Sequence, residues 1–337
     1  MKIEIVEREI RLPDCKPVLS YAEATTDDWL NMRGTFLGGS DAAAACDMDK
    51  YRSRFVLCAE KTNRVSGFEG NELTEMGTLI EPFIRREVVP DYLAKQGIDA
   101  EVIDPTHTYQ STRWPWMGVN VDGFIITDGQ TVGLEIKNNS AYRLKEYGGI
   151  FGNELPDAYY VQNQHAMAVT GLSAWWHFAL IGGSRVAWRT IPRNDEFIEW
   201  MVEQERSIWE ILQLDDPLLF PLPGGTDADM GALMEMGSPQ LDGVVDLSEV
   251  GGLIERYGSI GEVISTSTAE RESVKQQIIY HLGQYRTGET DRYKVAFSLS
   301  ERRSVDIDRL RRDHRETVDQ YTTWAESGRL SVKRRKV

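Results

Sequence analysis

The sequence predicts an α/β domain built in three layers, followed by a helical extension. Between residues 116 and 191, a β-hairpin, a helix and two further strands follow one another, with helices on either side. This order is typical of a sheet covered by helices on both faces. With 337 residues, of which 41% are hydrophobic, the chain can bury a sizeable core, and it has no apolar run long enough to span a membrane.

The N-terminal part is predicted to be mainly helical. The first 15 residues alternate loosely between apolar and polar side chains, which suggests an edge strand or arm. A helix is predicted over residues 26–32. The segment from Gly38 to Ala45 is typical of a loop that enters a helix. Apolar residues then recur at helical spacing from Met76 to Ile84, and Pro82 within this stretch predicts a kink or an early start.

The middle of the chain is predicted to supply the sheet. Residues 116–126 read as one strand, Val132, Leu134 and Ile136 alternate as in a second, and Asp128–Gly129 between them is a hairpin turn signal. The remaining elements of this region are a helix over 158–170, strands over 175–181 and 185–191, and a helix over 194–212.

A change of composition marks the expected end of this domain. Residues 214–232 are rich in Asp, Pro and Gly, which is typical of a linker, so the predicted α/β domain is 1–213 and the extension is 233–337. The extension is expected to be helical over 246–283 and 306–324, with a strand over 293–299. Its basic end, Lys333 to Lys336, could touch DNA or simply keep the terminus soluble, and the second reading is the simpler one.

The overall charge argues against broad attraction to polyphosphates. Lys and Arg number 38 against 53 Asp and Glu, which gives a net charge of −15. A nucleic-acid enzyme is still compatible with this charge if some of the acidic residues bind metal. The three cysteines and five histidines have no metal-ligand spacing, and the N-terminus lacks a secretory pattern, so we expect a reduced, cytoplasmic setting.

The strongest chemical signal is Asp122 followed by Glu135-Ile136-Lys137. Glu135 and Lys137 are two apart on a strand, so their side chains point to one face, and Asp122 at the end of the neighbouring strand can converge on them. Two carboxylates plus the Ile136 carbonyl suit Mg²⁺, which prefers oxygen ligands. Lys137 could orient or deprotonate an attacking water. This is the D…(D/E)xK arrangement of metal-dependent nucleases.

Each signal also has an ordinary explanation. An Asp and a Glu-x-Lys occur together by chance in many chains, and a Glu–Lys pair on a strand is often exposed to solvent. The apolar residues that flank the Glu–Lys pair favour a buried role instead. Glu81 falls at the edge of the apolar helix stripe and could face inward or be a surface residue. Tyr159, Gln162 and Ala166 share a helix face, where Gln162 could hold a water or a phosphate, or merely cap the surface.

Taken together, the motifs resemble those of the phage lambda exonuclease family, the YqaJ-type viral recombinase nucleases of the PD-(D/E)xK superfamily. The resemblance extends over about residues 20–212. The matching segments, in family order, are Trp29-x-x-x-Arg33, Gly39-Ser40-Asp41, Gly77-x-x-x-Glu81-Pro82, Val121-Asp122-Gly123, Leu134-Glu135-Ile136-Lys137 and Tyr159-x-x-Gln162-x-Gln164.

The resemblance implies a restriction-endonuclease-like core with a mixed central sheet, and a role for each matching residue. A first group would hold Mg²⁺ and carry out the chemistry: Asp122, Glu135, the Ile136 carbonyl, Glu81, Lys137 and Gln162. A second group would bind the 5′-phosphate and the DNA: Arg33, Ser40, Asn120 and Tyr159. Asn120 stands where the lambda enzyme has a serine, and Asn138-Asn139 follows Lys137 instead of the more usual pair. These two departures leave the 5′-phosphate preference less supported than the metal site.

The resemblance also implies an activity and partners. It points to a Mg²⁺-dependent 5′→3′ exonuclease on double-stranded DNA ends that leaves 3′ single strands, with Mn²⁺ able to substitute and two ions per site. It further implies a homotrimer, a single-strand annealing protein as partner, and a phage or prophage origin in a bacterial host. Two alternatives remain: an endonuclease or single-strand nuclease on the same core, or a non-catalytic DNA-end-binding assembly protein.

Overall fold

The computed structural model describes residues 10–67, 70–149, 154–237, 243–301, 303–323 and 330–332. The chain divides into two compact units, Met1–Pro239 and Gln240–Val337. None of the helices within the described ranges is both long and apolar enough to cross a membrane. The N-terminal strand or arm expected over the first 15 residues falls mostly outside the described residues, as does the basic Lys333–Lys336 segment.

The first unit contains eight α-helices in its described part. Their bounds are α1 Thr26–Gly34, α2 Gly39–Ala45, α3 Arg54–Lys61, α4 Glu72–Phe83, α5 Val89–Lys95, α6 Asp157–Thr170, α7 Asp195–Leu214 and α8 Asp227–Met236. The predicted helices at 26–32, 158–170 and 194–212 are confirmed within a few residues. Pro82 lies inside α4, which continues into a π-helical turn at Ile84–Val88 and then into α5.

Two sheets share the first unit. Their strands are β1 Cys15–Ser20, β2 Glu101–Ile103, β3 His107–Ser111, β4 Gly118–Asn120, β5 Gly123–Thr127, β6 Gln130–Asn139, β7 Ala174–Ile181 and β8 Arg185–Pro192. A small sheet has the order β1-β3-β4, and the central sheet has the order β2-β5-β6-β7-β8. In the central sheet β6 and β7 are parallel while the other pairs are antiparallel, so the sheet is mixed.

Apolar clusters on the two faces of the central sheet account for the three layers. On one face, Leu134 and Ile136 of β6 pack with Phe178 of β7 and with Ile84 and Leu93 of the α4–α5 region. On the other face, residues of α2, α6 and α7 form a second cluster around Trp175 of β7. The predicted α/β fold, a mixed sheet flanked by helices, is confirmed.

The segment predicted as one strand over 116–126 is two strands in different sheets. Gly118–Asn120 pairs with β3 of the small sheet, and Gly123–Thr127 pairs with β6 of the central sheet. The chain therefore changes sheets at Val121 and Asp122. Apolar residues occur on both sides of this junction, and Val119, Val121 and Phe124 all enter the same core cluster, so the sequence alone does not mark the change of sheet.

The residues expected to form a linker are partly ordered on the first unit. Residues 214–232 include a 3-10 turn at Pro217–Leu219 and the start of α8. Phe220 packs edge-on against Phe55 of α3, and Asp229 of α8 accepts a hydrogen bond from Ser53. The first compact unit thus extends to Pro239, beyond the boundary expected at 213.

The second unit is mainly helical in its described part. A 32-residue helix, α9, runs over Gly251–Leu282. A two-stranded sheet follows, formed by β9 Thr287–Glu289 and β10 Lys294–Ala296, and then come α10 Ile307–Asp313 and α11 Arg315–Gln320. The helix expected over 246–283 is confirmed. The strand expected over 293–299 is shorter, and the helix expected over 306–324 is two short helices.

Candidate active site

Asp122 lies at the junction where the chain leaves the small sheet and enters the central one. Its Oδ2 accepts a hydrogen bond from the Ile136 amide at 2.8 Å, and its backbone carbonyl accepts one from Arg85 Nη1 at 2.6 Å. The β5–β6 ladder ends at the pair Gly123–Leu134, so the Ile136 amide has no strand partner on that side. Asp122 supplies that partner and is itself fixed in place.

Glu135 and Lys137 lie on the same face of β6, as the spacing predicted. Glu135 is only 3% exposed. Its Oε1 forms an ion pair with Lys137 Nζ and accepts a hydrogen bond from Gln162 Nε2 of α6 at 2.6 Å. The helix α6 therefore contributes directly to the position of the Glu135 carboxylate.

The neighbouring Gly133 is required by the packing of this face. A Cβ at residue 133 would lie 2.2 Å from Cε3 of Trp175, its partner on β7. No ordinary side chain fits at that distance. The indole ring thus packs directly on the β6 backbone beside Glu135, and a larger residue at 133 would displace either the ring or the strand.

The site offers both carboxylate and backbone carbonyl oxygens as possible metal ligands. In a strand, the N–H and C=O of one residue point toward the same neighbouring strand, so the Ile136 carbonyl projects to the edge where its amide meets Asp122. Within the part of the chain that the structure describes, no three His, Cys, Asp or Glu side chains form a metal-binding group on their own. The fitting donor set is Asp122, Glu135 and the Ile136 carbonyl, a combination that suits Mg²⁺.

The electrostatics of the carboxylates favour a cation. Burial and the nearby Asp122 raise the pKa of Glu135 to about 8. The same two causes raise the pKa of Glu81 to about 6, and burial raises the pKa of Asp122. Three carboxyl groups that resist ionisation together would be stabilised in their charged form by a divalent ion. The residues present therefore fit a bound metal.

Lys137 is held as an ammonium group. Burial alone would lower the pKa of Lys137, but Glu135 and Asp122 outweigh it and raise the pKa above its usual range. A lysine that stays protonated is a poor proton acceptor. In this environment the ammonium form can orient the water and place positive charge beside a phosphate.

Glu81 reaches the site from α4, and an arginine positions it. Arg85 Nη1 lies 2.9 Å from Glu81 Oε1, and Arg85 Nε lies 2.7 Å from Asp104 Oδ1. Because Arg85 also binds the Asp122 carbonyl, this one buried guanidinium connects α4 to the sheet junction. The sequence reading missed Arg85, although its position four residues after Glu81 is the spacing of a helical ion pair.

Among the predicted 5′-phosphate residues, Arg33 on α1, Ser40 on α2 and Asn120 on β4 line the same cavity as the carboxylates. Arg33 Nη2 donates to Ser40 Oγ at 2.9 Å, and the guanidinium stacks 4.8 Å from the Trp29 ring centroid. The Asn120 side-chain oxygen accepts hydrogen bonds from Thr108 at 2.6 Å and from Tyr21 at 3.3 Å. Its NH₂ group is then the part of the amide that can donate to a phosphate.

One cavity of about 220 Å³ brings the predicted residues together. Nine of the ten predicted residues line it: Arg33, Ser40, Glu81, Asn120, Asp122, Glu135, Ile136, Lys137 and Gln162. Tyr159 is the tenth and does not line the cavity. Its ring lies 5.2 Å from Lys137 Nζ, and its hydroxyl accepts a hydrogen bond from Arg143 at 2.6 Å. Tyr159 thus stands behind the lysine, where it can set the position of the ammonium group.

A buried ion cluster beneath Ser40 supports the phosphate-facing side. Asp41 is 2% exposed and lies 2.7 Å from both Arg52 Nη1 and Lys61 Nζ. Lys61 also donates to the carbonyls of Arg33 and Phe36, each at 2.8 Å. The loop between α1 and α2 is therefore tied to α3. Asp41 is part of one of the matching motifs, but the sequence alone predicted no role for it.

Helix α6 packs closely against the start of α2. A Cβ at Gly39 would lie 3.2 Å from Gln162 Cγ, so a small residue at position 39 lets the Arg33–Ser40 side approach the Glu135 side. Deeper in the same contact, His165 Nδ1 lies 2.8 Å from Glu205 Oε1 of α7, and His165 Nε2 donates to the Gly118 carbonyl at 2.9 Å. These contacts connect both sheets and three helices around the cavity.

The chain is similar to several known proteins. The chain is 26% identical over 296 residues to the uncharacterized protein YqaJ of Bacillus subtilis (strain 168), covering 86% of this chain and 88% of that protein. The crystal structure of an alkaline exonuclease from Laribacter hongkongensis superposes with a TM-score of 0.47 and 22% identity, covering 56% of this chain and 94% of that one. The same enzyme in complex with dAMP gives a TM-score of 0.45 and 19% identity, with the same coverage.

A sequence model of a protein family shows which residues of this chain match the family. The model of the YqaJ-like viral recombinase domain matches residues 28–173, which include the helix α1 with Arg33, the strands with Asp122 and Glu135, and the helix α6 with Gln162. The family predicted from the six motifs is thereby confirmed. Residues 28–173 are the part of this chain that is similar to the YqaJ-like viral recombinase domain.

Proposed function

We propose that this chain is a Mg²⁺-dependent 5′→3′ exonuclease that degrades one strand of linear double-stranded DNA and leaves 3′ single strands for recombination. One observation carries the proposal: a single cavity is lined by the carboxylates and lysine of a D…(D/E)xK set and, opposite them, by Arg33 and Ser40. An acidic metal-binding side and a phosphate-binding side within one cavity suit hydrolysis next to a strand end.

Each residue has a distinct task in this proposal. Asp122, Glu135 and the Ile136 carbonyl, with Glu81 beside them, would hold Mg²⁺, with Mn²⁺ able to substitute and room for two ions. The metal, when bound, lowers the pKa of water and neutralises charge on the phosphate. Gln162 holds the Glu135 carboxylate in place by its hydrogen bond.

The remaining residues act on the substrate. The Lys137 ammonium orients the water and balances charge on the scissile phosphate. Arg33 offers two parallel N–H donors to a terminal 5′-phosphate, and Ser40 and Asn120 add neutral donors. A terminal phosphate carries more charge than an internal one, so the arginine would distinguish a 5′ end from the interior of a strand.

The proposal extends to assembly and setting. A homotrimer would place the duplex among three copies of the cavity, which would allow a protein of net charge −15 to hold DNA without broad surface attraction. The product, a 3′ single strand, would pass to an annealing protein, and the setting would be the cytoplasm of a bacterial host that carries a phage or prophage. Light scattering of the purified chain tests the trimer, because a monomer or dimer would contradict it.

A comparison of linear and circular DNA tests the activity. A 5′-phosphorylated linear duplex and a closed circle of the same sequence are incubated with the protein, with and without Mg²⁺. We expect loss of the linear duplex alone, only with Mg²⁺, and release of mononucleotides from 5′ ends. Cleavage of the circle would instead indicate an endonuclease, digestion restricted to single strands would indicate a single-strand nuclease, and binding without cleavage would indicate an assembly protein.

A further inference from the structure

A second cavity lies on the same face of the central sheet as Glu135 and Lys137. It has a volume of about 250 Å³, and Arg185, Ala187 and Arg189 of β8 line it. The strand register relates the two cavities. Glu135 pairs with His177 of β7, and His177 pairs with Arg189, so the three side chains form one row across the sheet. With strands about 4.8 Å apart, the Arg189 backbone is about 10 Å from that of Glu135.

Aromatic side chains lie between the two cavities. The Tyr159 ring stacks on His177 at a centroid distance of 5.2 Å, and the Tyr147 hydroxyl accepts a hydrogen bond from Asn139 Nδ2 at 2.8 Å. Burial, Lys137 and Arg189 lower the pKa of His177 to about 3. On the other side of these rings, the second cavity is lined by the cationic side chains of Arg185 and Arg189.

These arginines lack the carboxylate partners that buried arginines usually have. Among the described residues, neither Arg185 nor Arg189 forms an ion pair, and Arg189 Nη2 is buried without a hydrogen-bond partner. Glu154 also lines the cavity and attracts Arg189 at longer range. A buried donor without an acceptor is costly, and a bound anion would remove that cost.

The shape and lining indicate which anion fits. The next row of the same sheet face contains Lys137, Ala179 and Ala187, and the two alanines leave space where larger side chains would fill the cavity. Two guanidinium groups suit a phosphate, which accepts two N–H bonds from each. Trp188 and Tyr92 pack instead with Phe178 on the opposite face of the sheet, so the arginines are the groups on this face that can bind a ligand.

We propose that the second cavity binds a nucleotide through its phosphate, which Arg185 and Arg189 hold. The choice of a nucleotide among phosphate compounds rests on the proposed nuclease function. The nucleotide could be a free mononucleotide released by cleavage or one unit of a DNA strand beside the catalytic cavity. Both sources present the same phosphate chemistry to the arginines.

Binding without turnover tests this proposal and separates the two sources. The full chain with Arg33→Ala and Glu135→Gln serves as background, without metal, so that DNA stays intact and the catalytic cavity contributes little. It is titrated by calorimetry with thymidine 5′-monophosphate and, separately, with a single-stranded tetranucleotide that has hydroxyl ends. The double substitution Arg185→Gln/Arg189→Gln is then added, and Arg206→Gln on the exposed face of α7 is the matched control.

We expect the double substitution to weaken at least one of the two ligands by about 10-fold or more, and the control to change neither by more than about twofold. Weakening of the monophosphate identifies a free mononucleotide, and weakening of the tetranucleotide identifies a strand. Equal affinities in the double variant and the control would overturn the proposal, as would binding of thymidine as tight as that of its monophosphate.

The outcome does not depend on nuclease activity. If the chain does not cut DNA but its nucleotide affinity falls when the two arginines are replaced, the nucleotide site is supported. Only the proposed nuclease function is then contradicted. If the double variant does not fold, as judged by its thermal unfolding, Arg185→Gln alone takes its place, because Arg185 is more peripheral on β8. A loss of at least about threefold is then expected, and no loss would overturn the proposal.

Discussion

Glu135 is held by two donors at once, Lys137 from its own strand and Gln162 from α6. Replacing it with Gln keeps the shape but removes a metal ligand and the anchor for the ammonium group. We expect Mg²⁺-dependent digestion of a linear duplex to fall by about 100-fold or more, with a thermal unfolding midpoint close to that of the original protein. Glu203→Gln on the exposed face of α7 is the matched control. Near-normal turnover by Glu135→Gln would contradict the assignment.

Arg33 is the residue that would recognise the 5′ end. Its guanidinium is positioned by Ser40 and by the Trp29 ring. Removing a charged hydrogen bond costs about 1.5–3 kcal/mol, so Arg33→Ala should reduce the preference for 5′-phosphate over 5′-hydroxyl ends by about 10- to 150-fold. The ratio of initial rates on the two substrates measures this, with Arg206→Ala as control. If the unaltered protein has no preference, Arg33 and Ser40 serve another purpose.

At this scale the sequence predicted the residues that line the candidate active site better than those that support them. Asp122, Glu135 and Lys137 could be found because metal chemistry demands fixed residue types at fixed spacing. Arg85 and Arg143 were missed because their roles depend on where separate elements meet, which spacing does not show. Tyr159 was placed beside the phosphate by resemblance, whereas its ring lies behind Lys137.

At the scale of elements, helix α2 depends on a buried carboxylate at its start. Asp41 accepts a hydrogen bond from the Gly38 amide at 2.9 Å and pairs with Arg52 and Lys61. Asp41→Asn keeps the amide contact but leaves two cations without their partner. Breaking a buried pair of this kind costs about 3 kcal/mol or more. We expect this loss in the free energy of unfolding at pH 7, measured by denaturant titration.

The pH dependence gives this prediction a second readout. Burial alone would raise the pKa of Asp41, but Arg52 and Lys61 lower it well below its ordinary 3.8. A carboxyl whose pKa is lowered by folding stabilises the fold above its unfolded pKa, and this contribution is lost as the pH falls toward the folded value. The difference between the unaltered protein and Asp41→Asn should therefore be full at pH 7 and shrink below about pH 3.8. A difference that grows on acidification would show that the ion pairs are not its source.

The sequence predicted individual helices and strands well where one periodicity ran uninterrupted, as in α6, α7, β7 and β8. It failed at residues 116–126, because apolar residues typical of a strand lie on both sides of the change from the small sheet to the central one. That junction is also what positions Asp122. At this junction the chain changes its strand partners, and those partners lie far away in the sequence. Local residue patterns therefore do not reveal the junction.

At the scale of the whole molecule, the chain should tolerate loss of its second unit but not of α8. The first compact unit is Met1–Pro239 and contains every residue that lines the catalytic cavity. We expect a chain ending at residue 239 to fold and to retain Mg²⁺-dependent cleavage of a short duplex. Assembly, engagement of long duplex and contact with an annealing protein are the properties expected to fall, because they are what an appended unit can supply.

A chain ending at residue 213 provides the comparison. It lacks Phe220, which is 8% exposed and packs on Phe55, and it lacks Asp229, which accepts a hydrogen bond from Ser53 at the start of α3. Loss of one buried phenylalanine alone costs about 3–5 kcal/mol, and α3 also carries Lys61, which fixes the loop behind Arg33. The shorter chain should therefore unfold at lower denaturant concentration and cut poorly. Mg²⁺ binding, measured by calorimetry, tests the chain that ends at residue 239. If this chain folds yet binds no metal, the second unit completes the active site.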